Sequence, residues 1–304
     1  MRRSLMLALC AALLSVPSSH AAGPSKTYVP GQTPDGQPDL SGMWVNFDPT
    51  PFETGGQPAF NDAVLGVNPP ANWTENASPT SRANAARKAM VVDPPDGIVP
   101  VMKWAEDKRT YDFEHVNDSW VYQTPWERCI TRGIPAGMFP AGYDNAYRFM
   151  QTPGYVVIVY EMIHQARVIP LDGRPHVGAR IREWDGDPRG HWEGNTLVVD
   201  TTNYNNKGSI ATSAATGRIR GIPQSEALHV VERFRMVDAT TIDYQVTIDD
   251  PGVYAKPWRV EIPLIRDSKY QMYEYACAEG NYATPNMLAA GRAADRAVKS
   301  GDAR

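Results

Sequence analysis

The part of this chain that most restricts its fold begins at Ala146. From there to Cys277, short runs that alternate polar and apolar residues are separated by turn residues. Alternation with a period of two is the pattern of a half-buried strand. It predicts strands at residues 146–151, 155–162, 166–171, 178–184, 196–204, 228–236, 241–248, 258–265 and 270–277. Their linkers include Pro153-Gly154, Asp172-Gly173, Gly194-Asn195, Asp238-Ala239 and Asp267-Ser268, mostly turn chemistry. Nine strands joined mainly by hairpins form an antiparallel sheet wide enough to curl, and closure into a hollow β-barrel removes the exposed edges. The expected class is mainly β.

Residues 22–116 are rich in Pro, Gly, Asn and Asp and keep no period. They read as an irregular arm wrapped on the barrel through aromatic residues such as Trp44, Phe52 and Trp104. Two ordered pieces are expected within the arm, a strand start at "PDLSGMW" and a short helix over residues 78–90. The barrel domain then spans residues 117–284. Residues 285–304 form an Ala-rich terminal helix and tail that opens at Pro285.

Residues 1–21 carry Arg2 and Arg3, an apolar run from Leu5 to Val16, and small residues at Ser19 and Ala21. This reads as a secretory signal cleaved near Ala21, which places the protein in the periplasm or outside the cell. No later run approaches the ~20 apolar residues of a membrane span. The net charge of −4 becomes −6 once Arg2 and Arg3 leave with the signal, and there is no basic run, so a nucleic-acid partner is disfavoured. Two cysteines remain after Cys10, and in an oxidising compartment Cys129 and Cys277 are expected to pair. The other reading leaves Cys129 as a nucleophilic thiol.

The chain lacks G-x-S-x-G, S-x-x-K, H-E-x-x-H, C-x-x-C, a Walker lysine and a dinucleotide fingerprint, so no cofactor is expected. Strand alternation supplies other candidates. In "LHVVERFRM", Glu232 shares a face with Leu228, Val230, Phe234 and Met236, where a carboxyl is costly unless paired or protonated. Asp200 shares a face with Val198, Thr202 and Tyr204, and Tyr160 shares one with Val156 and Ile158. Each is either a structural group bound across the barrel or part of an acid–base site. His164, Arg167, Asp172, Arg174 and His176 flank two hairpin turns and can gather at one rim. "GDPRGHWEGNTLVVDT" reads as a bent connection, with Trp192 as a plug over one barrel end and Asp187, Arg189 and His191 at the mouth as the functional alternative. No two histidines have a tight metal-binding spacing, so no metal is assigned.

Aromatic residues crowd the last strands, with Tyr273 and Trp258 among them. Together with Tyr204 and Trp192 they are candidates for holding a hydrophobic or aromatic small molecule. The expected function is capture of such a ligand with cofactor-free lyase, isomerase or hydratase chemistry by Glu232, Asp200, Tyr160, His164 or Arg174. The alternatives are a non-catalytic periplasmic carrier and a carbohydrate-binding or surface-interaction module.

The stretches "PDLSGMW", "TPGYVVIVYEMIHQARVIPLDGRPH", "WEGNTLVVDTTNYN" and "YEYACAEGNY" resemble a largely uncharacterised family of secreted bacterial β-rich proteins. The Gly-x-Trp element and the strand meander are also similar to lipocalin-type (calycin) barrels. That second resemblance implies a ligand-enclosing barrel and transfers no catalytic residue.

Overall fold

The computed structural model describes residues 28–46, 48, 50–55, 87–141, 145–210 and 221–301. The expected signal segment and almost all of the helix expected over 78–90 lie outside the described residues; the last four positions of that helix, 87–90, are not helical.

The strands are β1 (Gly42–Val45), β2 (Val91–Asp93), β3 (Ala146–Thr152), β4 (Tyr155–Tyr160), β5 (Ala166–Pro170) and β6 (Asp187–Glu193). They continue with β7 (Thr196–Thr202), β8 (Ser209–Ile210), β9 (Ile222–Pro223), β10 (His229–Met236), β11 (Thr241–Asp249) and β12 (Trp258–Arg266). The helices are α1 (Lys103–Glu114) and α2 (Ala283–Ser300). The main sheet runs β5-β4-β3-β1-β12-β11-β10-β7-β6, antiparallel throughout, and β2 pairs with the start of β12. Its two ends, β5 and β6, lie against each other, so the sheet is a nearly closed antiparallel barrel.

Gly190 permits that closure. A Cβ on it would stand 2.6 Å from Leu171 Cδ2 and 2.8 Å from Ile169 Cγ2, so β5 can seat its apolar residues on β6 only where β6 has no side chain. "GDPRGHWEGNTLVVDT" is therefore mostly a hairpin, β6 turning into β7 at Gly194-Asn195, and not the bent connection expected.

Inward-facing residues alternate as expected on β4, β10, β11 and β12. The lumen, however, is filled. Phe149 on β3 meets Phe234 on β10 with ring centroids 5.6 Å apart, and Phe234 lies 4.8 Å from Tyr244. Residues 134–141, mostly buried, cover the end where β3 begins and β4 stops, with Asn46 Nδ2 donating to Met138 O at 2.9 Å.

Three further expectations change. The strand start at Gly42 is a stave of the barrel, between β3 and β12, so the arm expected to wrap the outside supplies part of the wall. Residues 178–184 and 270–277 are not strands. The first segment is held by Asn203, whose side-chain amide donates to Val177 O, Gly178 O and Ile181 O. The second is held by Glu161, which accepts from Tyr270 Oη and the Tyr273 N–H.

Cys129 and Cys277 form a disulfide across a sequence separation of 148. On the chain-entropy model a loop of that length contributes up to ~5 kcal/mol. Beside it, Asn281 Nδ2 donates to Glu127 O and Thr284 Oγ1 to Gln123 Oε1, so α2 is moored to the 120–128 segment. Among the described residues no helix is long and apolar enough to cross a membrane.

Candidate functional site

The sequence-predicted residues fall in several places. Glu232 and Tyr160 lie inside the barrel, as their strand faces require. Glu232 is fully buried; its Oε2 stands 2.6 Å from Arg167 Nη2 and its Oε1 accepts from Tyr244 Oη at 3.0 Å. Arg167, expected at the rim, points inward from β5 and also donates to Thr201 Oγ1 at 2.8 Å. Burial opposes its charge, but Glu232 and then Tyr160 more than offset this and raise its pKa. Burial likewise raises the Tyr160 hydroxyl far above the ordinary value, with Arg167 only partly countering it. One ion pair and the Tyr244 hydroxyl thus form a sealed network in an apolar core, with the Tyr160 hydroxyl buried nearby and without a hydrogen-bond partner.

Asp200 is on the opposite face from the one expected: Leu197, Val199 and Thr201 point inward and Asp200 outward. On the outer wall its Oδ1 is 3.1 Å from His176 Nε2 and its Oδ2 is 3.0 Å from His229 Nε2. His176 Nδ1 approaches Asp187 Oδ2 at 3.2 Å, and Arg189 Nη1 donates to Asp187 Oδ1 at 2.6 Å. His164 is exposed at the turn after β4, its Nδ1 2.8 Å from Tyr275 O, and Arg174 is exposed and paired with Asp172. The residues expected to gather at one rim are therefore dispersed. No group of three metal-ligating side chains is assembled among the described residues.

The four aromatic candidates also separate. Tyr204 and Trp258 are core residues at 0% and 1% exposure, Trp192 packs partly buried on the core, and Tyr273 is exposed. Tyr204 points inward because Asn203, at φ +61°, breaks the alternation after β7.

A different place has the shape and lining of a ligand site. Between α1, the 116–128 segment and the β8–β9 ribbon lies a cleft of about 500 Å³, within the ~300–1,000 Å³ range of small-molecule pockets. Its aromatic lining is Phe113, Trp120, Tyr122, Trp126 and Trp184, and its cationic lining is Lys108, Arg109, Arg128 and Lys207.

Local chemistry builds these walls. α1 has no apolar stripe. It is braced by the pairs Lys103–Asp107, Lys108–Asp112 and Arg109–Glu106 and by Trp104 Nε1 donating to Gly252 O at 2.9 Å. Thr124 and Glu127 close the next turn reciprocally: the Thr124 N–H donates to Glu127 Oε2 at 2.7 Å and the Glu127 N–H to Thr124 Oγ1 at 3.3 Å. That turn presents Trp126, whose ring faces the Arg132 guanidinium at 4.6 Å, and Arg128, 5.5 Å from the Trp120 ring centroid.

Periodicity did not reveal this cleft because its aromatic and cationic residues, Trp184 apart, come from stretches without any. The available signal was compositional: "WVYQTPWER" places three large aromatic residues and an arginine within nine positions. Compared with family models, with curated proteins and with solved structures, the chain matches none.

Proposed function

We propose that the protein captures a flat aromatic small molecule in this cleft and acts as a ligand-binding or carrier barrel in an oxidising compartment, akin to the secreted family and lipocalin-type barrels it resembles. The observation that carries the reading is the cleft of about 500 Å³, faced by five aromatic side chains and four cationic ones. The Cys129–Cys277 bond supports the compartment. None of Glu232, Asp200, Tyr160, His164 and Arg174 lines the cleft, which favours binding without turnover.

A second reading, cofactor-free proton transfer, draws on the convergence of Tyr160 and Glu232 around Arg167. It requires a ligand to enter the core. In that case Glu232→Gln, assayed at a temperature where circular dichroism shows it folded, would abolish turnover of a bound ligand, whereas a carrier would keep its affinity.

Titration of intrinsic tryptophan fluorescence against aromatic acids and amides, isoprenoids and oligosaccharides tests the proposal. Aromatic compounds are expected to bind saturably. Trp120→Ala, at a position 55% exposed and so harmless to folding, is expected to weaken them by about tenfold. Absence of aromatic binding, or an unchanged affinity in the variant, would sink the reading; saturable binding of oligosaccharides alone would replace it with a sugar-stacking surface.

A further inference from the structure

We infer that the ligand of the cleft is an aromatic anion, a planar carboxylate or its equivalent, and that Arg128 and Lys207 receive its charge. This rests on the aromatic-capture reading above and adds the chemical class of the ligand.

Six charged residues line the cleft, and four are already committed. Lys108 holds Asp112 at 2.7 Å, Arg109 holds Glu106 at 2.5 Å, and the Glu127 carboxylate accepts the Thr124 N–H. Arg128 and Lys207 remain. Neither has an ion pair within 4.0 Å among the described residues, and the Arg128 Nε is buried without a hydrogen-bond partner. Burial works against the Arg128 charge, partly countered by the adjacent Glu127 carboxylate. A guanidinium that has lost part of its hydration and gained an aromatic face but no anion is one that an entering carboxylate would relieve, because a charge-assisted hydrogen bond replaces the lost water.

The arrangement also sets orientation. Arg128 stands over the Trp120 ring at 5.5 Å, so a ligand that stacks on the exposed part of Trp120 brings its edge towards the guanidinium. Lys207 enters from a different segment, the connection between β7 and β8, and supplies a point charge where Arg128 supplies a planar fork. The chain as a whole is negatively charged, at −4, and offers an anion no general attraction. The preference must come from these two side chains at short range.

The test compares 2-naphthoate with its uncharged counterpart 2-naphthamide by calorimetry on the full protein with its disulfide intact. Naphthoate is expected to bind on the order of tenfold more tightly than the amide. Arg128→Gln and Lys207→Gln are each expected to bring the ratio of the two affinities towards one, and Arg128→Lys to retain most of it. Thermal melting of each variant confirms that the fold is kept.

Equal binding of naphthoate and naphthamide by the parent protein would overturn the anion assignment and leave aromatic capture standing. An unchanged ratio in both glutamine variants would overturn the assignment to these two residues. Failure of both probes to bind would overturn aromatic capture and this inference with it.

Discussion

At the scale of single residues, the buried pair Arg167–Glu232 carries the largest consequences for stability. Two charges in an apolar barrel are tolerable only together, because removing one leaves the other desolvated and unmatched. Glu232→Gln or Arg167→Met alone is expected to lower stability by ~3–5 kcal/mol, and Arg167→Met with Glu232→Leu to recover most of it, measured by urea denaturation. Equal losses for the single and double variants would mean that the pair is not the stabilising unit. Glu232 was legible because it is the one acid in an apolar alternation. Asp200 was legible as a strand residue but not as to side. Leu197, Val198 and Val199 are all apolar, so period two sorts the residues of β7 into two faces without saying which is inside. Arg167 was hidden by its type, since sequence alone favours an exposed arginine over one that answers a carboxylate on β10.

At the scale of elements, the barrel depends on the seam between β5 and β6. Gly190→Val would place branched carbon where Leu171 Cδ2 and Ile169 Cγ2 already sit, and is expected to cost ~1–3 kcal/mol in thermal denaturation. Adding Leu171→Ala should return part of that loss; if it does not, the crowding lies elsewhere. β6 escaped recognition because its seven residues include Pro188 and Gly190, which lower strand propensity, while the hairpin register supplies the order that propensity lacks. Conversely, residues 178–184 and 270–277 have strand-like texture but form no strand, the first making only a single bridge from Glu183 to Tyr204. Asn203 donates to backbone carbonyls of the first, and Glu161 accepts from the Tyr270 hydroxyl and the Tyr273 N–H of the second. α1 was invisible for a related reason: it is stabilised by charge pairs and one tryptophan anchor, which leave no apolar period to read.

At the scale of the whole molecule, the core is unusually rich in phenols that ionise only with difficulty. Tyr147, Tyr160, Tyr204, Tyr244 and Tyr254 are all buried, and burial raises each above the ordinary value of 10.0, Tyr147 to about 12. Below pH 10 folded and unfolded chains both keep these protons, so stability is insensitive to them. Above it the unfolded chain releases protons that the barrel retains. Stability therefore falls as pH rises above 10, by up to ~1.4 kcal/mol per pH unit for each tyrosine, and the share of Tyr147 is fully lost once pH passes its folded value of about 12. Ultraviolet difference absorbance is expected to show these five ionising only together with cooperative loss of near-ultraviolet circular dichroism; their gradual titration in the folded protein would mean a porous core. The connectivity carries one more consequence. β1, made of residues 42–45, belongs between β3 and β12, so its slot is incomplete until Arg266 has left the ribosome. Every shorter nascent chain has an unfinished cylinder, and the distant contacts that complete it form slowly. Such a polypeptide is expected to stay open to proteases until residue 266 has emerged.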